Sequence, residues 1–114
     1  MERPLANKRP VGPFVKSSRS VDSGATITFI LSGVADGANV LGGIEDTAVT
    51  TDIVNESLFN LGIKPEEVDV TRQPPNTEVL IKLKRPESHQ RINDLVSEME
   101  SIYEVDGIII GGQV

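Results

Sequence analysis

Residues 78–110 read EVLIKLKRPESHQRINDLVSEMESIYEVDGIII, and the change of period inside this stretch decides the fold class. From Glu78 to Lys84, Val79, Ile81 and Leu83 alternate with Leu80, Lys82 and Lys84. That two-residue period belongs to a strand with one face buried. Pro86 closes the strand, and Ser88 offers a side-chain acceptor for the start of a helix. Ile92, Leu95, Val96, Met99 and Ile102 then fall on one helical stripe, with Asn93, Asp94, Ser97, Glu98 and Glu100 largely off it. Tyr103 is expected to end this helix near its apolar edge. Asp106-Gly107 is expected to break the chain, and Val105 with Ile108–Ile110 to form a short last strand that Gly111 and Gly112 terminate.

Toward the N-terminus the same order recurs. Ala25–Leu31 alternates Ile27, Phe29 and Leu31 with Thr26, Thr28 and Ile30, a β-branched run that predicts a strand. Thr51–Leu61 carries Val54, Leu58 and Leu61 on one helical face, with Thr50 or Thr51 as cap and Gly62 as the left-handed residue after the end. Glu67–Arg72 is a weaker strand around Val68 and Val70. Gln73-Pro74-Pro75-Asn76 is a turn, because two prolines cannot join an interior ladder. Strand, helix, strand, strand, helix, strand is the order of the ferredoxin-like α+β fold: a four-stranded antiparallel sheet with two helices on one face. That topology makes the first and third strands central, and these are the two strongest strands here. The charged, proline-flanked second strand suits an edge.

The chain has 114 residues, with 11 Lys+Arg against 17 Asp+Glu, one His and no Cys. This length predicts one folded domain, taken as 25–114. Residues 1–24 hold three prolines, two glycines and several serines, and read as a flexible basic arm. The arm carries five basic and two acidic residues, whereas residues 25–114 carry six basic and fifteen acidic. A body that acidic repels a phosphate backbone, so nucleic acid is not expected as its partner. Without Cys there is no thiolate metal site, disulfide or cysteine nucleophile. No apolar run spans a bilayer and no secretory leader is visible, which gives a cytoplasmic expectation.

The Gly33–Gly43 segment, GVADGANVLGG, is the leading candidate for a binding site. It joins a central strand to a helix, its glycines admit close approach to the backbone, and Asp36 and Asn39 offer polar groups. No phosphate-loop or dinucleotide pattern is present. Val34, Val40, Leu41 and Ile44 in and after it need cover. Asp36, Glu45, Asp46 and Asp52 do not match a calcium loop and read as solvated carboxylates, so no metal and no cofactor are expected. His89, at the first turn of the second helix, reads as a surface residue rather than a general base. Arg72, Lys82, Lys84 and Arg85 form the basic patch of the body. The third strand lacks the aromatic residues of an RNA-recognition sheet, there is no Cys pair for metal transfer, and the first loop has no arginine for an acylphosphate. No acid–base pair or nucleophile set emerges, so an enzyme is not expected.

The sheet face away from the helices is expected to show Thr26, Thr28, Ile30, Leu80, Lys82 and Lys84, with at least one isoleucine of the last strand. Aliphatic groups among these polar ones, and a small core, favour a homo-oligomer. Over residues 25–112 the element order and the strand–loop–helix unit Thr26–Leu61 resemble ACT-like regulatory modules and related ferredoxin-fold oligomerisation domains. The resemblance implies a small effector bound near the loop after the first strand, at Gly33, Asp36, Gly37 and Asn39. The short Asp-x-Pro-Gly loop of such modules is replaced here by a longer, proline-free segment. The competing expectation is a structural assembly subunit of a ring or shell, including a viral one, whose N-terminal arm contacts its neighbours.

Overall fold

The computed structural model describes residues 21–113, so the greater part of the expected arm, residues 1–20, lies outside the described residues. The elements are β1 (Val21–Val34), α1 (Thr47–Leu61), β2 (Pro65–Gln73), β3 (Asn76–Leu83), α2 (His89–Ile102) and β4 (Tyr103–Gln113). They form one sheet in the order β2-β3-β1-β4, with every neighbouring pair antiparallel. This is the ferredoxin-like arrangement, with β1 and β3 central as expected.

The period of two sets the two faces. Ala25, Ile27, Phe29 and Leu31 of β1 and Val79, Ile81 and Leu83 of β3 are buried on the inner face. Val54 and Leu58 of α1 and Ile92, Leu95, Val96 and Met99 of α2 join the same core. Each large aliphatic side chain so buried contributes roughly 1.5–3 kcal/mol. That gain draws both amphipathic helices onto one side of the sheet.

Helix α1 begins at Thr47, four residues before the expected start. Its cap is Asp46, whose Oδ1 accepts from the Val49 N–H at 3.1 Å, rather than Thr50 or Thr51. Those two threonines instead donate back to the carbonyls of Asp46 and Thr47. The first turn carries no apolar stripe, so hydrophobic spacing did not reveal it. At the other end Gly62 sits at φ 72°. Its N–H donates to Phe59 O, and the Ile63 N–H donates to Leu58 O. This paired closure is the Schellman motif, and it directs the buried Ile63 back onto the core. Arg91 Nη1 donates to Leu61 O, tying the start of α2 to the negative end of α1.

Two-residue turn Pro74-Pro75 links β2 to β3, and the peptide between these prolines is cis. Ser88 Oγ accepts from the Arg91 N–H at 3.2 Å and caps α2, as expected. The end of α2 differs from expectation. The helix stops at Ile102, and β4 starts at once with Tyr103, whose N–H donates to Met99 O. Tyr103 is a buried strand residue, and Asp106-Gly107 does not break the strand. The pairing absorbs the irregularity instead. Ile30 faces Gly107 and Leu31 faces Val105, which leaves Asp106 as a bulge in β4; Leu31/Val105 is followed by Gly33/Glu104, which leaves Ser32 as a bulge in β1. β1 likewise starts at Val21, ahead of the expected Ala25, with Val21 paired to Gln113.

Candidate functional site

The two bulges, the β2–β3 hairpin and the segment leading to α1 meet at one end of the sheet. Thr77 is fully buried on the inner face of β3. Its hydroxyl donates to Ile44 O at 2.6 Å and accepts from Arg72 Nη1 at 2.8 Å. The same Arg72 nitrogen donates to Asn76 O at 3.1 Å. Asn76 Nδ2 then donates to Leu31 O at 3.2 Å and to the bulged Asp106 Oδ2 at 3.4 Å. Ser32 Oγ, on the other bulge, donates to Glu104 O at 3.3 Å. Three otherwise distant segments are thereby fastened to the hairpin. Because these donors and acceptors hold backbone, the arrangement fixes a shape rather than readying a nucleophile or a proton carrier. Thr77 and Asn76 were not singled out from sequence. The signal was there, since the alternation of β3 puts a hydroxyl on the buried face beside Val79.

The residues predicted for effector binding are distributed around this end. Gly33 belongs to β1 and pairs with Glu104, so it is part of the ladder rather than of a loop. Asp36 and Gly37 form the turn that follows, with Gly37 at φ 84°. The turn is held by Ala35 N–H to Ile102 O at 2.9 Å and Ala38 N–H to Ala35 O at 3.0 Å. Asp36, Gly37 and Asn39 are exposed. A second pair of turns at Gly42 and Gly43 brings the buried Ile44 to Thr77. Val34 and Val40 pack against the core, as their apolar character demanded, but Leu41 is 82% exposed. Glu45, Asp46 and Asp52 are exposed, and of these Asp46 has the capping role.

His89, expected at the surface, is buried, with 6% of its surface accessible. Ser88 is extended, at φ −71° and ψ 155°. Glu87 and His89 therefore face the same way, inward, while Ser88 faces out. The Glu87 carboxylate has Arg85 Nε at 3.6 Å. The expected basic patch also divides. Arg72 is engaged at the hairpin, Arg85 pairs with Glu87, and Lys82 lies on the outer face of the sheet. Tyr103 is buried, and burial pushes its phenol above the ordinary value of 10.0, with the nearby Thr50 side chain as the weaker, opposing influence.

The register defines the outer face. Its central row runs Asp69–Leu80–Thr28–Ile109 across β2, β3, β1 and β4. On one side lies Glu67–Lys82–Thr26–Gly111, and on the other Thr71–Glu78–Ile30–Gly107. Ile109 is 58% exposed. Thus Thr26, Thr28, Ile30, Leu80 and Lys82 occupy the face expected of them, Ile109 is the exposed isoleucine of the last strand, and Lys84 lies just past the end of β3. Both helices pack on the opposite face, so among the described residues no helix or strand covers this one.

Among the described residues no group of three or more His, Asp or Glu side chains is arranged to hold a metal ion. No helix among them is long and apolar enough to cross a membrane. No family model matches the chain, and no curated protein matches it.

Proposed function

We propose that this chain is a non-catalytic regulatory module that works by self-association, its copies meeting on the outer face of the sheet. The observation that carries the reading is the aliphatic group of exposed Ile109 and half-buried Ile30 and Leu80, gathered around the buried Thr28 on a face that no described helix or strand covers. Single exposed aliphatic residues are ordinary on a protein surface. Three in adjacent rows of one sheet, rimmed by Lys82, Glu78 and Glu67, have the make-up of an interface with a hydrophobic centre and a polar edge. The exposed turn at Asp36, Gly37 and Asn39 is where a small effector would be read. The Ala35–Ile102 hydrogen bond links that turn to the junction of α2 and the edge strand β4. A cytoplasmic location fits this role.

Native mass spectrometry and sedimentation of the full chain test the reading. The wild-type chain is expected as a dimer or larger assembly at micromolar concentration, and Ile109→Asp as a monomer with an unchanged circular dichroism spectrum. A wild-type chain that remains monomeric defeats the proposal. A retained small molecule that is lost in an Asp36→Ala, Asn39→Ala double variant supports the effector site.

A further inference from the structure

The pattern of charge on the outer face selects one way for two copies to pack. Lys82 and Glu78 stand on the same strand, two residues either side of Leu80, in the rows flanking the central one. We infer that the chain forms a face-to-face dimer about a two-fold axis lying along the row Asp69–Leu80–Thr28–Ile109, with β3 antiparallel to the β3 of a second copy and Lys82 of each copy paired with Glu78 of the other. This inference rests on the self-association proposed above and adds its geometry.

The axis exchanges the two flanking rows. Leu80, Thr28 and Ile109 then face their own counterparts, Thr26 faces Ile30, and Glu67 faces Thr71. Gly107 and Gly111 flank Ile109 in the sequence of β4, on the same face. The Ile30 side chain lies over Gly107, so Ile30 and Ile109 form one continuous aliphatic surface that meets its counterpart across the axis. Packed sheets stand about 10 Å apart. An extended lysine and a glutamate on opposed backbones together reach across that gap. The only like-charge meeting in these rows is Asp69 with its counterpart, at the exposed β2 edge, where water screens it.

The alternative axis, parallel to the strands and between β3 and β1, lays Lys82 over Thr26 and Glu78 over Ile30. It would leave both charges without a partner in the second copy, which is unfavourable. With strands about 4.8 Å apart and about 3.4 Å per residue, four strands over the eight residues of β3 give a footprint of roughly 500 Å² per copy. Two such footprints reach the roughly 1,000 Å² that a specific interface requires.

Charge reversal tests this arrangement. Lys82→Glu alone and Glu78→Lys alone each place like charges opposite one another in a homodimer, and each is expected to weaken dimerisation at least tenfold. Mixing the two variants, one of them isotope-labelled, restores both pairs, so native mass spectrometry should show a heterodimer of wild-type strength. The double variant Lys82→Glu, Glu78→Lys should dimerise with itself. If the single variants dimerise as the wild type does while Ile109→Asp is monomeric, self-association stands and this packing is wrong. A monomeric wild type overturns both. If that monomer becomes a dimer only when residues 1–20 are removed, those residues occupy the face, and the second copy is not its natural occupant.

Discussion

Replacing Thr77 by valine isolates the hydroxyl that joins the hairpin to the segment before α1. The two side chains are nearly isosteric, so the inner face keeps its packing, and Thr77 is fully buried, so water cannot take over. Two hydrogen bonds disappear. Arg72 is half-buried and retains Asn76 O at 3.1 Å, so its loss is small. Ile44 O loses its 2.6 Å donor inside the protein. A buried carbonyl left without a partner costs about 1–3 kcal/mol. We therefore expect Thr77→Val to destabilise the fold by about 2 kcal/mol. With a urea dependence of ~1–2 kcal/mol per molar for a domain of this size, the midpoint should fall by ~1–2 M at unchanged slope. Thr71→Val, on the exposed outer face of β2, is the matched control and should shift stability by less than about 0.5 kcal/mol. Equal behaviour of the two variants would refute the claim that Thr77 anchors the Ile44 segment.

Two further expectations concern the backbone turns and alkaline pH. Gly42 has φ 81° and its Cβ would lie 2.8 Å from Asp46 Cβ, whereas Gly37 has φ 84° and open space around it; Gly42→Ala should therefore cost clearly more than the ~1–2 kcal/mol of left-handed strain expected for Gly37→Ala, and equal losses in urea melts would contradict the assigned clash. The raised value of the Tyr103 phenol means that its neutral form is favoured in the folded state. Its contribution is thus complete below the unfolded value of 10.0 and is lost as the pH rises through the higher folded value. Tyr103 is the only tyrosine and the chain has no tryptophan, so phenolate absorbance reports this one group. Ionisation should coincide with alkaline unfolding, and Tyr103→Phe should flatten the alkaline limb; a folded protein whose tyrosine titrates at its ordinary value would show the reasoning to be mistaken.

The sheet was legible because burial on one face writes a two-residue period into the strand, as Ile27, Phe29 and Leu31 or Val79, Ile81 and Leu83 show. The caps at Ser88 and Gly62 were legible because they depend on local chemistry. Three features were not. The first turn of α1, Thr47–Thr50, is stabilised by Asp46 and by hydroxyl contacts rather than by an apolar stripe. His89 is buried by the extended backbone at Ser88, which aligns it with Glu87, and nothing in its own identity reports that. Asp106-Gly107 read as a break because glycine and aspartate favour turns. In the fold Gly107 lies against Ile30, its Cβ position 3.5 Å from Ile30 Cδ1, and the extra residue is taken up as a bulge. Of the candidate site, the exposed turn at Asp36–Asn39 was visible as a glycine-rich interruption. The Arg72–Thr77–Ile44 relay was not, because it brings together residues 33 apart in the chain.

The junction between α2 and β4 has no linking residues: Ile102 ends the helix, Tyr103 opens the strand, and Ala35 is clasped to the Ile102 carbonyl. Chain without slack transmits displacement instead of absorbing it. A slide of α2 along its axis would pull the edge strand lengthwise and drag the turn beside Asp36 with it. Spliced sequence would therefore be tolerated at the prolines of the hairpin tip long before it would be tolerated between these two residues.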